Sequence, residues 1–346
     1  MTIGSTDNDW RAQTPATMKT TRPVRAAVVG GGAFGECHLK TFRAMPQVDV
    51  AGIYTLERER GKALCDRYGG QCYSSLEALA SDTTIDLVSI ATPENAHFEP
   101  FRLLAEKKKA IYVEKPLATS LAEAREMLEL SRSLIAMSGH CLRFESRLAH
   151  VFAQRDRLGR LRHMSFRDKR TQGEKEVYGR VHPAYCLLCH EIELSNAFAQ
   201  DQFKRVCALE TQFSEGQIDG MNILIEYQNG VTSSIEGGWY LPTQAALLEN
   251  DRCTLDFEGG TFEIALPNMG FTFLSSQGYQ FLNQQYECNV YGMEFGALRS
   301  SLEYMVHCIK NQTAPAISTI RDGYEAVRLV DAALLSAKTC QWIQGV

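Results

Sequence analysis

The chain has 346 residues, of which 45% are hydrophobic and 22% charged, and its formal net charge is -5. This length predicts two domains, and the composition is ordinary for a globular protein that buries sizeable cores. A negative net charge supplies no broad positive field, so nucleic acid is not a predicted partner. No stretch approaches the ~18 consecutive apolar residues of a membrane span, and the polar N-terminal segment lacks the apolar core of a signal peptide. We therefore expect a cytoplasmic protein with no membrane partner.

The N-terminal part alternates short apolar runs with helical periodicity. Residues 1–22 are polar and predict a flexible tail that ends before Pro23. The β-branched runs are VRAAVVG, VDVAGIY, IDLVSIA, AIYVEKP and LIAMSGH, and segments such as SLAEAREMLELSRS between them have the spacing of helices. This alternation predicts an α/β fold with a doubly wound parallel sheet, which we assign as a dinucleotide-binding Rossmann domain over residues 23–142.

The second part, residues 143–346, has longer runs of alternating polarity. One predicted hairpin turns at Asn229-Gly230 and another at Gly259-Gly260. The segment from Ile320 predicts an amphipathic helix that packs back towards the Rossmann domain. We expect an α+β domain with a large, mostly antiparallel open sheet that serves substrate binding and oligomerisation.

A glycine-rich motif follows the first predicted strand. Gly30, Gly32 and Gly35 form G-x-G-x-x-G at the start of the first predicted helix. Glycines allow a tight turn and the close approach of a pyrophosphate, and a helix N-terminus offers free N–H groups. The sequence therefore predicts a nicotinamide dinucleotide site that includes these glycines together with Ala33 and Phe34.

The end of the second predicted strand bears on the choice of cofactor. An acidic residue usually meets the adenosine ribose ~20 residues after the motif, and Thr55 occupies that position here. Arg58 and Arg60 follow and could meet a 2′-phosphate, whereas Glu57 could bind the ribose hydroxyls. Both NAD and NADP remain candidates, with Thr55 and Arg58 as predicted contacts.

The stretch AYCLLCHEIELS contains Cys186, Cys189 and His190 in the spacing C-x-x-C-H. That spacing is typical of c-type haem attachment or of a redox dithiol. The chain has 11 cysteines scattered along its length, and most are expected to be small buried hydrophobic residues. We expect neither haem nor an obligatory disulfide here, and no metal site is predicted.

Three further stretches, IATPENAHFEPF, VEKPLA and GHCLRFESR, follow the predicted Rossmann core. In this order they resemble the glucose-fructose oxidoreductase, inositol dehydrogenase and MocA (Gfo/Idh/MocA) family. The resemblance implies hydride transfer between NAD or NADP and a secondary hydroxyl or ketone of a sugar, glycoside, inositol or related polyol. It also implies cofactor contacts at Thr92, Pro93, Asn95, His97, Glu114, Lys115 and Arg143; Arg143 could instead tie the two domains together.

The same resemblance assigns the catalytic residues. In this family a D-x-x-x-H-D-x-D motif stands at the start of a helix in the second domain. The stretch CLLCHEIE resembles that motif here. His190 then matches the functional histidine, Glu191 and Glu193 match the acidic residues, and Cys186 replaces an Asp. Lys115 of the EKP motif is implied as the acid/base, since loss of a hydroxyl proton must accompany hydride transfer, and His190 as the residue that orients substrate.

The substrate pocket is expected to include Lys115, Tyr185, Cys186 and His190, with His182 a further donor. Cys186 leaves two alternatives open: a cofactor-binding regulatory or scaffolding protein without turnover, and a trans-dihydrodiol or biliverdin reductase-like enzyme. The family also implies a homo-oligomer, a dimer or tetramer formed through the C-terminal sheet.

Overall fold

The computed structural model describes residues 22–213, 216–245, 249–266, 272–275, 278–281, 288–290 and 293–345. The predicted tail, residues 1–22, lies outside the described residues except for Arg22. The guanidinium Nη2 of Arg22 is 2.5 Å from Oδ1 of Asp86.

The first sheet has six strands in the order β3-β2-β1-β4-β5-β6, and all of its pairings are parallel. Its strands are β1 (Val24–Val29), β2 (Val48–Tyr54), β3 (Gln71–Cys72), β4 (Leu87–Ile90), β5 (Ala110–Glu114) and β6 (Ala136–Gly139). The helices between them are α1 (Ala33–Arg43), α2 (Arg58–Tyr68), α3 (Leu76–Ser81), α4 (Phe98–Glu106) and α5 (Leu121–Ser131). The prediction of a doubly wound parallel sheet is confirmed, although the two-residue β3 is too short to show in the sequence pattern.

Helices on both faces explain why the central strands are continuous apolar runs. Every residue of β4 and β6 is buried, as are four of the five residues of β5. A parallel sheet covered on both faces needs such runs rather than alternation. Functional side chains are therefore expected at the ends of these strands, where the chain leaves the core.

The second sheet has seven strands in the order β12-β11-β7-β10-β9-β8-β17. Its pairings are antiparallel apart from β7 with β10. Its strands are β7 (Leu161–Thr171), β8 (Phe203–Thr211), β9 (Gly220–Tyr227), β10 (Thr232–Leu241), β11 (Asp251–Phe257), β12 (Gly260–Leu266) and β17 (Ile343–Gln344). Both predicted hairpins, β9-β10 and β11-β12, are confirmed.

Two short hairpins, six α-helices and three 3-10 helices (Glu94–Ala96, Cys141–Phe144 and Arg155–Arg157) complete the described elements. The hairpins pair β13 (Thr272–Ser275) with β14 (Gly278–Phe281) and β15 (Cys288–Val290) with β16 (Met293–Phe295). The helices are α6 (Ser146–Gln154), α7 (Gln172–Tyr178), α8 (Pro183–Cys186), α9 (Cys189–Ala199), α10 (Ala297–Asn311) and α11 (Ile320–Thr339). Among the helices of the described segments, none is both long and apolar enough to cross a bilayer.

The long helix α11 packs against both sheets. It begins with a capping box in which Thr319 and Asp322 bond each other's backbone N–H groups. Near this end, Gly323 lies so close to Ser138 that an added Cβ would come within 2.7 Å of its Oγ. Towards the other end, Ser336 Oγ accepts a 3.0 Å hydrogen bond from the N–H of Ala208 in β8. This helix therefore holds β6 of the first sheet and β8 of the second sheet in a fixed relation.

Candidate active site

The turn from β1 into α1 is built on glycines for steric reasons. Gly30 has φ +113°, and an added Cβ there would overlap the carbonyl oxygen of Ala91. A Cβ on Gly35 would overlap the carbonyl oxygen of Gly30. These two glycines let β4 and α1 pack tightly against the turn.

Gly32 differs from them because it faces open space. It is the N-cap of α1, with φ -70°, and no described atom lies within 4 Å of a Cβ built on it. In the described structure no side chain caps α1, and Ala33 and Phe34 are exposed in its first turn. A helix start with free N–H groups and room above it fits a pyrophosphate. The turn therefore has the shape and the donors that a dinucleotide requires.

The predicted ribose contacts lie beside this turn. An added Cβ on Gly31 would come within 2.7 Å of Thr55 Oγ1, so Thr55 packs against the glycine turn. Arg60 is engaged elsewhere: it bonds Glu36 at 2.5 Å and donates to the Gly31 carbonyl. This leaves Arg58, exposed at the first position of α2, as the arginine of the predicted pair that can turn towards a ribose phosphate.

The TPENAH segment after β4 is held by its own hydrogen bonds. Thr92 Oγ1 donates to the Ala96 carbonyl at 2.9 Å. His97 is buried, and its Nδ1 and Nε2 lie 2.8 Å and 3.0 Å from the carbonyls of Pro116 and Thr92. Burial lowers the pKa of His97. The imidazole thus fixes the loop that follows Lys115, whereas Pro93 and Asn95 are exposed.

Glu114, at the end of β5, faces the Rossmann core. Its Oε1 lies 2.9 Å from Nε2 of His38, whose Nδ1 lies 2.7 Å from Ser89 Oγ. Its other oxygen accepts a hydrogen bond from the N–H of Lys115. His38 is not predictable as a partner of Glu114 from the sequence, because a histidine in the middle of a helix gives no local signal of its partners. This buried chain of contacts supports the strand end from which Lys115 projects.

Lys115 reaches from the Rossmann domain to the second domain. Its Nζ donates a 2.8 Å hydrogen bond to the backbone carbonyl of Cys186. Burial lowers the pKa of Lys115, but nearby acidic groups, among them the carboxylates of Glu114 and Glu94, outweigh it, so the pKa lies above its ordinary value. The amine therefore carries its proton at neutral pH.

The two cysteines of C-x-x-C-H are buried and are free thiols. Burial raises the pKa of Cys186 to about 12 and also raises that of Cys189. Neutral thiols are poor nucleophiles and poor metal ligands. The contact of Cys186 with Lys115 is the hydrogen bond that its peptide carbonyl accepts.

His190 lies at the start of α9 and packs against a second histidine. It is 7% exposed, and burial, with help from Lys115, lowers its pKa well below the ordinary value. Its ring stands nearly perpendicular to that of His140, with centroids 6.1 Å apart. Lys115 and His140 both lie near His190. His140 stands in the GHCLRFESR motif but is not among the predicted site residues.

The acidic residues that follow His190 are buried and weakly ionised. Burial and Asp168 raise the pKa of Glu191 to about 8. Burial raises the pKa of Glu193 to about 7, although Arg143 Nη1 donates a 2.8 Å hydrogen bond to it. Arg143 thus bonds α9 of the second domain from the 3-10 helix that follows β6, a contact that supports its alternative role as a tie between domains.

Tyr185 and His182 are the remaining predicted residues of the substrate pocket, and both interact with groups other than Lys115. Burial and Asp331 of α11 raise the pKa of Tyr185 to about 12. His182 Nδ1 accepts a hydrogen bond from the N–H of Ala184 and so caps α8, and its Nε2 lies 3.4 Å from Glu210. Neither contact involves Lys115.

The fold and site together define a two-domain protein with a Rossmann dinucleotide-binding turn and a half-buried lysine where the second domain meets it. Residues 24–138 match the family model described as "Oxidoreductase family, NAD-binding Rossmann fold". The match to this Gfo/Idh/MocA model covers the Rossmann domain and does not extend into the second domain.

Two relatives are similar over the same part of the chain. An uncharacterized oxidoreductase of Streptococcus pneumoniae is 34% identical over 131 residues, 37% of this chain and 35% of that protein. The 4-carboxy-2-hydroxymuconate-6-semialdehyde dehydrogenase of Sphingobium sp. is 34% identical over 125 residues, 35% of this chain and 39% of that protein. The matches therefore span little more than a third of these relatives.

The fold of the whole chain has solved counterparts. The myo-inositol dehydrogenase of Lactobacillus casei, in complex with NAD(H) and myo-inositol, superimposes with a TM-score of 0.78 at 18% identity. The superposition covers 94% of this chain and 97% of that one. Both domains therefore share the fold of that structure.

Proposed function

We propose that the protein is an NAD(P)-dependent dehydrogenase or reductase that acts on a secondary hydroxyl or ketone of a sugar, glycoside, inositol or related polyol. The observation that carries this proposal is the lysine of EKP, enclosed at the end of β5 and hydrogen-bonded to the domain that would close over a substrate. The glycine turn lies at the same carboxyl edge of the sheet, where ligands of open α/β sheets bind. The match of residues 24–138 to the family model supports the assignment.

The dinucleotide would lie across the carboxyl edge of the Rossmann sheet. Gly30, Gly32 and Gly35 would admit the pyrophosphate at the start of α1, with Thr55 and Arg58 beside the adenosine ribose. Bound nicotinamide supplies the hydride acceptor in oxidation and the hydride donor in reduction. NAD and NADP are both retained, because Thr55 removes the repulsion that an acidic residue would exert on a 2′-phosphate.

Lys115 would hold and move the proton of the reacting hydroxyl. In oxidation the C–H bond breaks with transfer of a hydride, the O–H proton passes to the neutral Lys115 amine, and the carbonyl forms. Acidic groups of the protein raise the pKa of Lys115. Loss of the lysine proton therefore requires a second positive charge nearby, which would lower that pKa. His190, kept neutral by burial, would hydrogen-bond the same oxygen and orient it.

A second candidate function is cofactor binding without turnover, in a regulatory or scaffolding role. It is favoured by Cys186, because a neutral thiol cannot accept hydrogen bonds as a carboxylate does. Retention of both Lys115 and His190 favours the enzyme. Trans-dihydrodiol or biliverdin reductase-like chemistry stays a further alternative, and a more apolar substrate pocket would distinguish it.

A homo-oligomer formed through the C-terminal sheet fits the exposed face of β8 and β9. Leu209 and Leu224 on this face are 65% and 52% exposed, and exposed apolar faces favour association. A cytoplasmic location stays a prediction.

The test is a titration of the purified protein with NADH and NADPH, followed by a screen of polyols and keto-sugars at the nicotinamide absorption band. We expect micromolar binding of at least one dinucleotide and turnover of at least one polyol or keto-sugar. If neither dinucleotide binds, the cofactor assignment is wrong. Tight dinucleotide binding without turnover of any compound supports the regulatory alternative.

A further inference from the structure

Thr55 packs against the glycine turn where β2 ends. Strands β1 and β2 run parallel with Val29 opposite Tyr54, so Gly30 and Thr55 leave the sheet together at its carboxyl edge. A Cβ built on Gly31 would lie 2.7 Å from Oγ1 and 3.0 Å from Cβ of Thr55. The position at which an acidic residue usually meets the ribose of NAD is therefore occupied by a short, neutral hydroxyl side chain.

Arg60 brings a guanidinium to the same glycine. From α2, its Nε donates a 3.2 Å hydrogen bond to the Gly31 carbonyl, and its Nη2 donates a 2.5 Å hydrogen bond to Glu36 of α1. The Arg60 side chain is 43% exposed, so the guanidinium is open to a ligand as well. Because Thr55 and Arg60 both contact Gly31, a positive charge is held next to the Thr55 hydroxyl.

The carboxylate that pairs with Arg60 does not neutralise the charge around it. Glu36 also accepts a 2.8 Å hydrogen bond from Nη1 of Arg67 and a 2.9 Å hydrogen bond from the hydroxyl of Tyr68. Burial raises the pKa of Glu36, but these hydrogen bonds and the two arginines outweigh it, so the pKa lies below its ordinary value. One negative charge thus serves two guanidiniums. The Arg60 cluster, which consists of Glu36, Arg60 and Arg67, keeps a net positive charge.

The surface beside Thr55 has room for a phosphate. Leu56, Glu57 and Arg58 follow Thr55 and are exposed, Leu56 to 91%. On the other side of the turn, no described atom lies within 4 Å of a Cβ built on Gly32. A group carried by a ribose at this edge would therefore enter an open, solvated surface.

Glu57 is the acidic residue that would favour NAD instead, since its carboxylate could accept hydrogen bonds from ribose hydroxyls. It is the N-cap of α2, and its N–H lies 3.4 Å from Oγ1 of Thr55. Arg58 follows directly and carries the opposite charge, while Glu59 pairs with Lys62 at 2.7 Å. The positive Arg60 cluster therefore decides the sign of the local charge, which favours a phosphate over a hydroxyl.

We propose that Thr55, Arg58 and Arg60 form a subsite for the 2′-phosphate of NADP, and that the protein binds NADP(H) in preference to NAD(H). This inference rests on the proposed function and deepens it, since the proposed function leaves the choice of dinucleotide open. The Thr55 hydroxyl would donate to the phosphate, Arg58 would bind it through its guanidinium, and Arg60 would hold a positive charge beside it. NAD carries a hydroxyl at that position, which leaves these charges without an anion.

The experiment measures binding alone, by calorimetric titration of the full chain with NADPH and NADH at low and at high salt. NADPH should bind about tenfold more tightly than NADH, or better, at low salt. The ratio of the two affinities should shrink at high salt, because ions screen exposed charges. Adenosine 2′,5′-bisphosphate should displace NADPH at a concentration where AMP does not, since the two compounds differ only in the 2′-phosphate.

Two variants assign the preference to these residues. Arg58→Ala should weaken NADPH binding about tenfold or more, and should keep the NADH affinity and the thermal midpoint of wild type, because Arg58 is exposed. Thr55→Asp should reverse the preference, since a carboxylate repels the 2′-phosphate and accepts hydrogen bonds from the ribose hydroxyls. Arg125→Ala, exposed on α5, is the matched control. It removes the same charge from a helix that does not adjoin β2 and should keep the wild-type ratio of affinities.

The inference and the proposed function fail in different ways. If neither dinucleotide binds, both are overturned. If NADH binds as tightly as NADPH or more tightly, or if either variant keeps the wild-type ratio of affinities, the inference alone is wrong. A preference for NADPH that both variants remove, without turnover of any polyol or keto-sugar, upholds the inference and contradicts the proposed enzyme.

Discussion

At the residue scale, the environment of Lys115 determines how the substitution at position 186 is tolerated. Lys115 Nζ bonds the peptide carbonyl of Cys186, and a backbone carbonyl is retained whatever side chain stands there. The thiol itself is buried and neutral. The carboxylate common in the family is therefore not needed to hold the lysine in this chain.

This environment predicts a ranking of three variants. Lys115→Ala should lower turnover by about 10²–10⁴, the usual contribution of a positioned acid/base, and leave dinucleotide affinity nearly unchanged. His190→Ala should lower turnover less than Lys115→Ala does, because the imidazole orients substrate. Cys186→Ala should change turnover little. Steady-state kinetics with fluorescence titration of NADH measures both quantities. Loss of turnover in Cys186→Ala, with Lys115→Ala still active, would indicate thiol chemistry instead.

At the scale of elements, the three glycines of one turn serve two different purposes. Gly30 and Gly35 are required by the packing of β1, β4 and α1, because an added Cβ at either would overlap a carbonyl oxygen. Gly32 has ordinary backbone angles and open space around it. The packing of the fold therefore does not require a glycine at position 32.

This division predicts opposite effects for two variants of the turn. Gly35→Ala should destabilise the protein by about 1–3 kcal/mol, as overpacking does. Gly32→Val should keep the thermal midpoint close to that of wild type and weaken NADH or NADPH binding about tenfold or more, since its side chain occupies the space above the free N–H groups. Thermal denaturation and calorimetric titration test the pair. Undiminished dinucleotide affinity in Gly32→Val would place the pyrophosphate elsewhere.

At the scale of the whole molecule, buried ionisable groups cluster around α9, where the second domain meets Lys115. Burial raises the pKa of Glu191 to about 8 and of Glu193 to about 7, while it lowers the pKa values of His140 and His190. Each shift of one unit corresponds to about 1.4 kcal/mol between the protonation states. Burial of these four groups therefore lowers the free energy of unfolding of the protein.

The direction of the pH dependence follows from proton binding. Between the ordinary glutamate pKa and about pH 8, the folded protein holds protons on these carboxyls that the unfolded chain has released, so stability falls as pH rises. The buried histidines act oppositely, but only below their unfolded pKa of ~6.5. Above pH ~6.5 the buried carboxyls still change the stability with pH, whereas the buried histidines no longer do.

We therefore expect the free energy of unfolding to fall between pH 6.5 and pH 8.5, and Glu191→Gln to reduce that fall because its side chain does not titrate. Denaturant unfolding at the two pH values measures both quantities. Glu126→Gln, exposed on α5, is the matched control and should keep the wild-type difference. An equal fall in Glu191→Gln and wild type would contradict the assignment.

Local pattern determined much of this protein from its sequence. The order of strands and helices, the glycine turn, both hairpins and α11 were all predictable, because hydrophobic periodicity and turn residues are properties of neighbours in the chain. The position of Lys115 at the end of β5 was predictable for the same reason, once the EKP resemblance assigned it a role.

Only the tertiary structure decided how the side chains meet. Lys115 and Cys186 lie 71 positions apart, and their contact depends on the packing of one domain against the other. Tertiary packing within the Rossmann domain places His97 against backbone carbonyls, whereas His140 has no hydrogen-bond partner among the described residues. Both histidines are buried, and no periodicity distinguishes them. Hydrogen bonding is set by atoms brought together from distant parts of the chain, which is why the sequence gives the residues of the site but not their partners.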